Sequence, residues 1–119
     1  MEKIKFKKAA CQGELLVMKC AKPGMAGLKQ QGDNVFILGH SETGHHHVVN
    51  RDNADGSGAC AFYETDNPMV AFLNVFDAEA ELKHLREYDT HPSLLLAKGW
   101  YEIRRQREPS PEGWRKVQD

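Results

Sequence analysis

No stretch of this chain approaches the run of about 18 apolar residues that a membrane-spanning helix requires. The opening MEKIKFKK is charged where a secretory leader would be apolar. These absences predict a cytoplasmic protein with no membrane partner. An excess of one charge is also lacking: 16 Lys and Arg stand against 17 Asp and Glu, a formal net charge of −1. Nucleic acid and anionic lipid therefore exert no general pull, although local patches can still bind. Cysteine is scarce: Cys11, Cys20 and Cys60 form no C-x-x-C pair, and an odd number argues against a closed disulfide framework. Reduced, buried or half-buried thiols are expected. Internal repeats are absent, and only the last dozen residues read as a tail.

What is present suffices for one domain. A chain of 119 residues, 40% of them apolar, can bury a core without disulfides or metal, so any bound metal need not be structural. The predicted organisation is a single β domain over 1–108 and a proline- and charge-rich tail over 109–119.

The pattern along the chain is that of short strands. IKFKKA alternates, ELLVMKCA is an apolar run of strand length, and NVFILGH is rich in β-branched and aromatic residues. Between the last two, Lys22-Pro23-Gly24 breaks regular structure and MAGLKQQGDN reads as loop. HHVVN, ACAFYE and MVAFLNVF are further strands, the last two joined as a hairpin through ETDNP. RDNADGSG superficially suggests calcium. Yet placing Gly56 at the sixth position of an EF-hand loop puts Arg51 first and Phe62 twelfth, neither a ligand, so a hairpin connection is expected instead. Residues 77–89, DAEAELKHLREYD, are good helix formers behind a capping Asp77, but ELKHL also alternates as a strand. In SLLLAKGWYEIRRQRE, Tyr101, Ile103 and Arg105 share one strand face and Trp100, Glu102 and Arg104 the other. The predicted class is all-β and mainly antiparallel, a small sandwich or barrel with room for one short helix near 78–89.

The densest chemical signal is GHSETGHHHVV, residues 39–49, which holds four of the six histidines. On an extended strand His45 and His47 project from one face and His46 from the other. The Ser-Glu-Thr-Gly turn, with Gly44 free to take a positive φ, would return His40 beside His45. Neutral imidazoles suit a divalent transition metal: zinc, iron, nickel or copper. The predicted ligands are His40, His45 and His47, joined by His84 or His91 from later strands. Glu42 is the candidate catalytic residue, as base toward a metal-bound water or as a carboxylate orienting an imidazole.

Other readings compete. The histidines could form an exposed polar turn without a ligand, or act in metal-free proton transfer or recognition. A non-enzymatic interaction module could use the same turn together with the Arg104–Arg107 strand, since guanidinium forks suit acidic or phosphate groups on a protein or small-molecule partner. Trp100 and Trp114 could stack on a base or sugar, but core or edge packing is the commoner fate of tryptophan in a domain this small.

The order of HSETGHHH, Leu82-Lys83-His84, His91-Pro92 and GWYEIRRQRE resembles a group of small uncharacterised proteins of bacteria and their phages. That group has an H-G-E-x-T-G-H-x-H-like turn and a G-x-Y-x-V-x-x-Q-R-E-Y-like strand. The turn matches at His40, Glu42, Thr43, Gly44, His45 and His47, with Ser41 in place of a glycine. The strand matches at Gly99, Tyr101, Ile103, Gln106, Arg107 and Glu108, with Pro109 where an aromatic would stand. The resemblance implies β structure over 79–85. A looser likeness to cupins, in which an H-x-H pair, a glutamate and a later histidine hold metal, covers architecture alone, because Glu42 here precedes the pair.

Overall fold

The computed structural model describes residues 3–12, 15–39, 46–84, 93–105, 107–110 and 113–116. Regular structure among them is entirely strand: β1 (Lys3–Lys5), β2 (Ala9–Gln12), β3 (Leu15–Cys20), β4 (Lys29–Gln30), β5 (Val35–Gly39), β6 (His47–Asn50), β7 (Cys60–Glu64), β8 (Val70–His84), β9 (Ser93–Arg105), β10 (Arg107–Ser110) and β11 (Gly113–Lys116). Nine strands share one curled, mainly antiparallel sheet that forms a half-barrel. β10 and β11 pair only with each other.

The segment that fits helix or strand equally well on sequence, 77–89, is strand through His84, and the rest of it lies outside the described residues. Pairing decides this: Glu79 to Leu82 lie along Ala97 to Leu94 of β9, and Ala80 and Leu82 are buried. Alternation over 4–9 reads as one strand, but the chain forms two, β1 and β2. Between them Phe6 packs edge-on against Tyr101 with ring centroids 6.0 Å apart. β1 then lies parallel to the start of β9, while β2 runs antiparallel to β3.

The shape comes from one irregularity in the β8–β9 hairpin. Val75 pairs with Gly99 and Glu79 with Ala97, so β8 takes four steps where β9 takes two. Extra residues in one strand bend the ladder and increase its twist. Gly99, at φ 145°, takes a conformation that side chains disfavour, and Tyr101 Oη donates to Ala97 O at 2.6 Å across the same bend. The inward parity changes there as well: Ala71, Leu73 and Val75 are buried before it, Ala80 and Leu82 after it.

Strands then distribute to either side of the bend. β7 pairs with Ala71–Val75 and β6 with Lys83 and His84, both on the β8 edge that does not face β9. One limb carries β2, β3, β4 and β7, and the other carries β1, β5 and β6. The limbs face each other across a core that includes Val17, Leu38, Leu73, Leu82, Leu96 and Ile103, all fully buried. Phe36 of β5 meets Phe62 of β7 at 5.7 Å between ring centroids, joining the limbs.

Cys60 belongs to that core. Its Sγ–H donates to Asn50 O at 3.2 Å, and burial, with the charge of Asp52 adding to it, pushes the thiol up to about 11 from 9.0. Because the folded thiol titrates above the unfolded one, the stability tied to neutral Cys60 is complete below pH 9 and declines as pH rises through about 11. Reaction requires thiolate and access. At pH 8, iodoacetamide is therefore expected to label exposed Cys11 in the native protein and to reach Cys60 only after unfolding; equal labelling of the two would contradict the buried placement.

Candidate histidine site

β5 and β6 build the site from a one-residue irregularity. Ile37 pairs with Val48 and Gly39 with His47, so Leu38 is an extra residue on β5. The absent side chain of Gly39 makes room for the imidazole: a Cβ there would lie 3.2 Å from His47 Cδ2 and 3.2 Å from Leu15 Cδ1. His47 is 0% exposed, and among the described residues it and Gln12 are the buried polar side chains.

These two groups are joined. His47 Nδ1 lies 2.8 Å from Gln12 Oε1, and Gln12 Nε2 donates to Leu82 O at 3.1 Å. An amide nitrogen is the only end of glutamine that can donate to a carbonyl, so the amide oxygen faces the imidazole. That oxygen only accepts, so Nδ1 carries the proton in this contact. Burying two polar side chains without such partners would cost roughly 1–3 kcal/mol each.

Of the predicted ligands, the structure places His47 inward, and His46 next to it is half-buried. β6 and β8 pair His47 with His84 directly across the ladder. His40, Glu42, His45 and His91 lie outside the described residues. Among the described residues no group of three His, Cys, Asp or Glu side chains converges as a metal cluster. The backbone register thus brings one of the two later histidines, His84, to the strand position opposite His47.

Gln12 is the residue that pattern reading misses. Its only signal is a polar side chain sharing strand parity with half-buried Ala10, which becomes visible once a strand is placed at 9–12 rather than 4–9.

The arginines divide by face. Arg105, with its side chain 10% exposed, donates to Leu38 O at 2.7 Å, Pro68 O at 2.9 Å and Glu64 Oε1 at 3.0 Å, and lies 5.9 Å from the Phe62 ring centroid. It is a clasp between β9, β5 and the β7–β8 turn. Arg104 is exposed and paired with Glu102 of its own strand. Trp100 of β9 stacks on Tyr63 of β7 at 5.6 Å between ring centroids, spanning the intervening β8.

The RDNADGSG connection closes as a hairpin-like loop, not as a calcium loop. Asp52 bridges to Gly58, Gly56 takes φ 90°, and Asn53 Nδ2 donates to Asp77 Oδ2 at 2.7 Å. Asp55 accepts from Ser57 Oγ and Ser57 N, which lowers its pKa. A cleft of about 250 Å³ beside this loop is lined by Asp52, Glu79 and Glu81, each with a basic partner: Arg51, Lys5 and Lys3 respectively.

The family described as Domain of unknown function (DUF8820) matches residues 11–106. The chain belongs to this family. The DUF8820 region begins in β2 and ends just after β9, so it takes in Gln12, residues 40–47, His84, His91 and Arg105, and leaves β1 and the β10–β11 pair outside. No curated protein and no solved structure matches the chain. Among the described residues no helix is long and apolar enough to cross a membrane.

Proposed function

We propose that this DUF8820 protein holds a divalent transition metal (zinc, iron, nickel or copper) through His47 and His84, completed by His40 and His45 from the adjoining turn. His91 is the alternative late ligand, and the cytoplasm of a bacterial cell, host or phage-infected, is the proposed setting. The observation that supports this reading is a fully buried imidazole whose Nδ1–H is held by Gln12 and whose ladder partner is a second histidine. Metal-binding histidines commonly have one ring nitrogen tied to an acceptor in this way. The likeness of His45-x-His47 to the strand-borne pair of cupins is a weaker support. Such a metal would supply Lewis acidity and an acidified water, with Glu42 as the proposed proton acceptor.

An interaction module built on the histidine turn and Arg104–Arg107 is the rival reading. His47 and Arg105 are both turned inward onto the protein's own groups, which removes two of the contacts that it would use. Cobalt titration of untagged protein, followed by absorption and calorimetry, tests the proposal. Replacing His45 and His47 together by alanine is expected to weaken binding by more than about 100-fold, beyond the 10–100-fold typical of losing a supporting residue. Unchanged cobalt affinity in that folded variant would refute it.

A further inference from the structure

We infer that the outer face of β7, β8, β9 and β3, with the lysines at its end, binds single-stranded nucleic acid: aromatic rings stack on the bases and the lysines hold the phosphates. The inference does not use the histidine site and stands apart from the metal reading. Phe72, Trp100 and Glu102 alternate with buried Leu73, Tyr101 and Ile103, so they lie on the face turned away from the core. Tyr63 pairs with Phe72, Phe72 with Glu102 and Glu102 with Met18, which makes one row across the four strands. Trp100 pairs with Asn74 and Cys20 in the next row. The solvated face of an antiparallel sheet ordinarily carries polar side chains at such positions. Here three aromatic rings and Met18 are half-buried, and Trp100 and Tyr63 lie nearly parallel, 28° apart with 5.6 Å between centroids.

The charge at one end of this face selects the occupant. Lys98 comes two residues before Trp100, and Lys22 two residues after Cys20. Lys19 N donates to Lys8 O at 2.7 Å, which sets Lys7 and Lys8 beside the same end of β3. Lys7, Lys8, Lys22 and Lys98 are exposed, and among the described residues none of the four is ion-paired. On the face itself Glu102 is neutralised by Arg104. Charges more than about 8 Å apart are screened at physiological salt, so this local surplus of cations acts despite the net charge of −1. Aromatic rings bounded by uncompensated cations match the two parts of a single strand, its bases and its phosphates, whereas a duplex keeps its bases stacked inside. Every base has a π-face, so little sequence preference is expected.

The test is fluorescence anisotropy of labelled oligothymidylate and oligouridylate of about 12 nucleotides, titrated with the full chain free of metal. Both are expected to bind at about 50 mM salt and to bind roughly 20–50-fold more weakly at about 200 mM, because three or four neutralised phosphates give a logarithmic slope of about −2 to −3. Lys7→Glu combined with Lys98→Glu changes two exposed positions, and is expected to weaken binding more than about tenfold with the thermal midpoint unchanged. Trp100→Leu is expected to weaken it at least about fivefold while leaving the salt slope as it was. Absence of binding by the folded, unsubstituted protein overturns the proposal, and so does binding that the lysine pair leaves unchanged. Capture by phosphatidylserine vesicles with neither strand bound overturns it in favour of a membrane surface. A dimer in light scattering that Trp100→Leu dissociates, again with neither strand bound, overturns it in favour of a second copy of the chain.

Discussion

Leu82→Ala is expected to lower the unfolding free energy by about 3 kcal/mol, within the roughly 2–5 kcal/mol observed for removing a buried leucine side chain. Leu82 is 0% exposed and pairs with Leu94 on β9, so its truncation opens a cavity where β8 closes the second limb. Its carbonyl also anchors Gln12, so the loss reaches the histidine site through the backbone. For a domain of this size each kcal/mol moves the midpoint by about 4–8 °C, so calorimetry should show a fall of roughly 12–24 °C. A fall equivalent to less than about 1 kcal/mol would mean that this limb is not packed as described.

Arg105→Met is expected to cost about 2–4 kcal/mol, because it deprives Leu38 O and Pro68 O of their donor and Glu64 of its cation at once. The methionine stem can still pack on Phe62, so the loss isolates the guanidinium's bonds from the contact area of the chain. Arg105→Lys should recover less than half, since one ammonium cannot reproduce a planar fork serving three acceptors on different elements. Urea unfolding of the two variants measures the difference. Equal stability of the methionine variant and the parent would show that the clasp between the limbs contributes nothing.

Local pattern carried most of the strand assignments. β3, β5, β6, β7 and β9 lie where β-branched and alternating runs occur, and β-propensity is reliable when a run is apolar and bounded by turn residues. The parallel pairing of β1 with β9 and the bend at Val75–Glu79 were not legible, because both depend on partners distant in sequence. DAEAEL has helical propensity, and the β9 ladder overrides it. The same holds for the site. Period-two alternation correctly separates Tyr101 and Ile103 from Arg104, but it cannot tell that Arg105, on the inward face, is consumed by Leu38, Pro68 and Glu64. Histidine clustering and strand alternation pointed to His47 and set half-buried His46 on the other face. The register that sets His47 opposite His84, and the glutamine 35 residues earlier that holds its ring, belong to the tertiary fold.

The central claim is that the histidines around His47 hold a metal, and the most direct measurement is the metal content of protein purified without a histidine tag at neutral pH. About one zinc, iron, nickel or copper per chain is expected, falling to none when His45 and His47 are both replaced by alanine. A folded, unsubstituted protein that carries none of these metals, and takes up none when each is supplied, would contradict it.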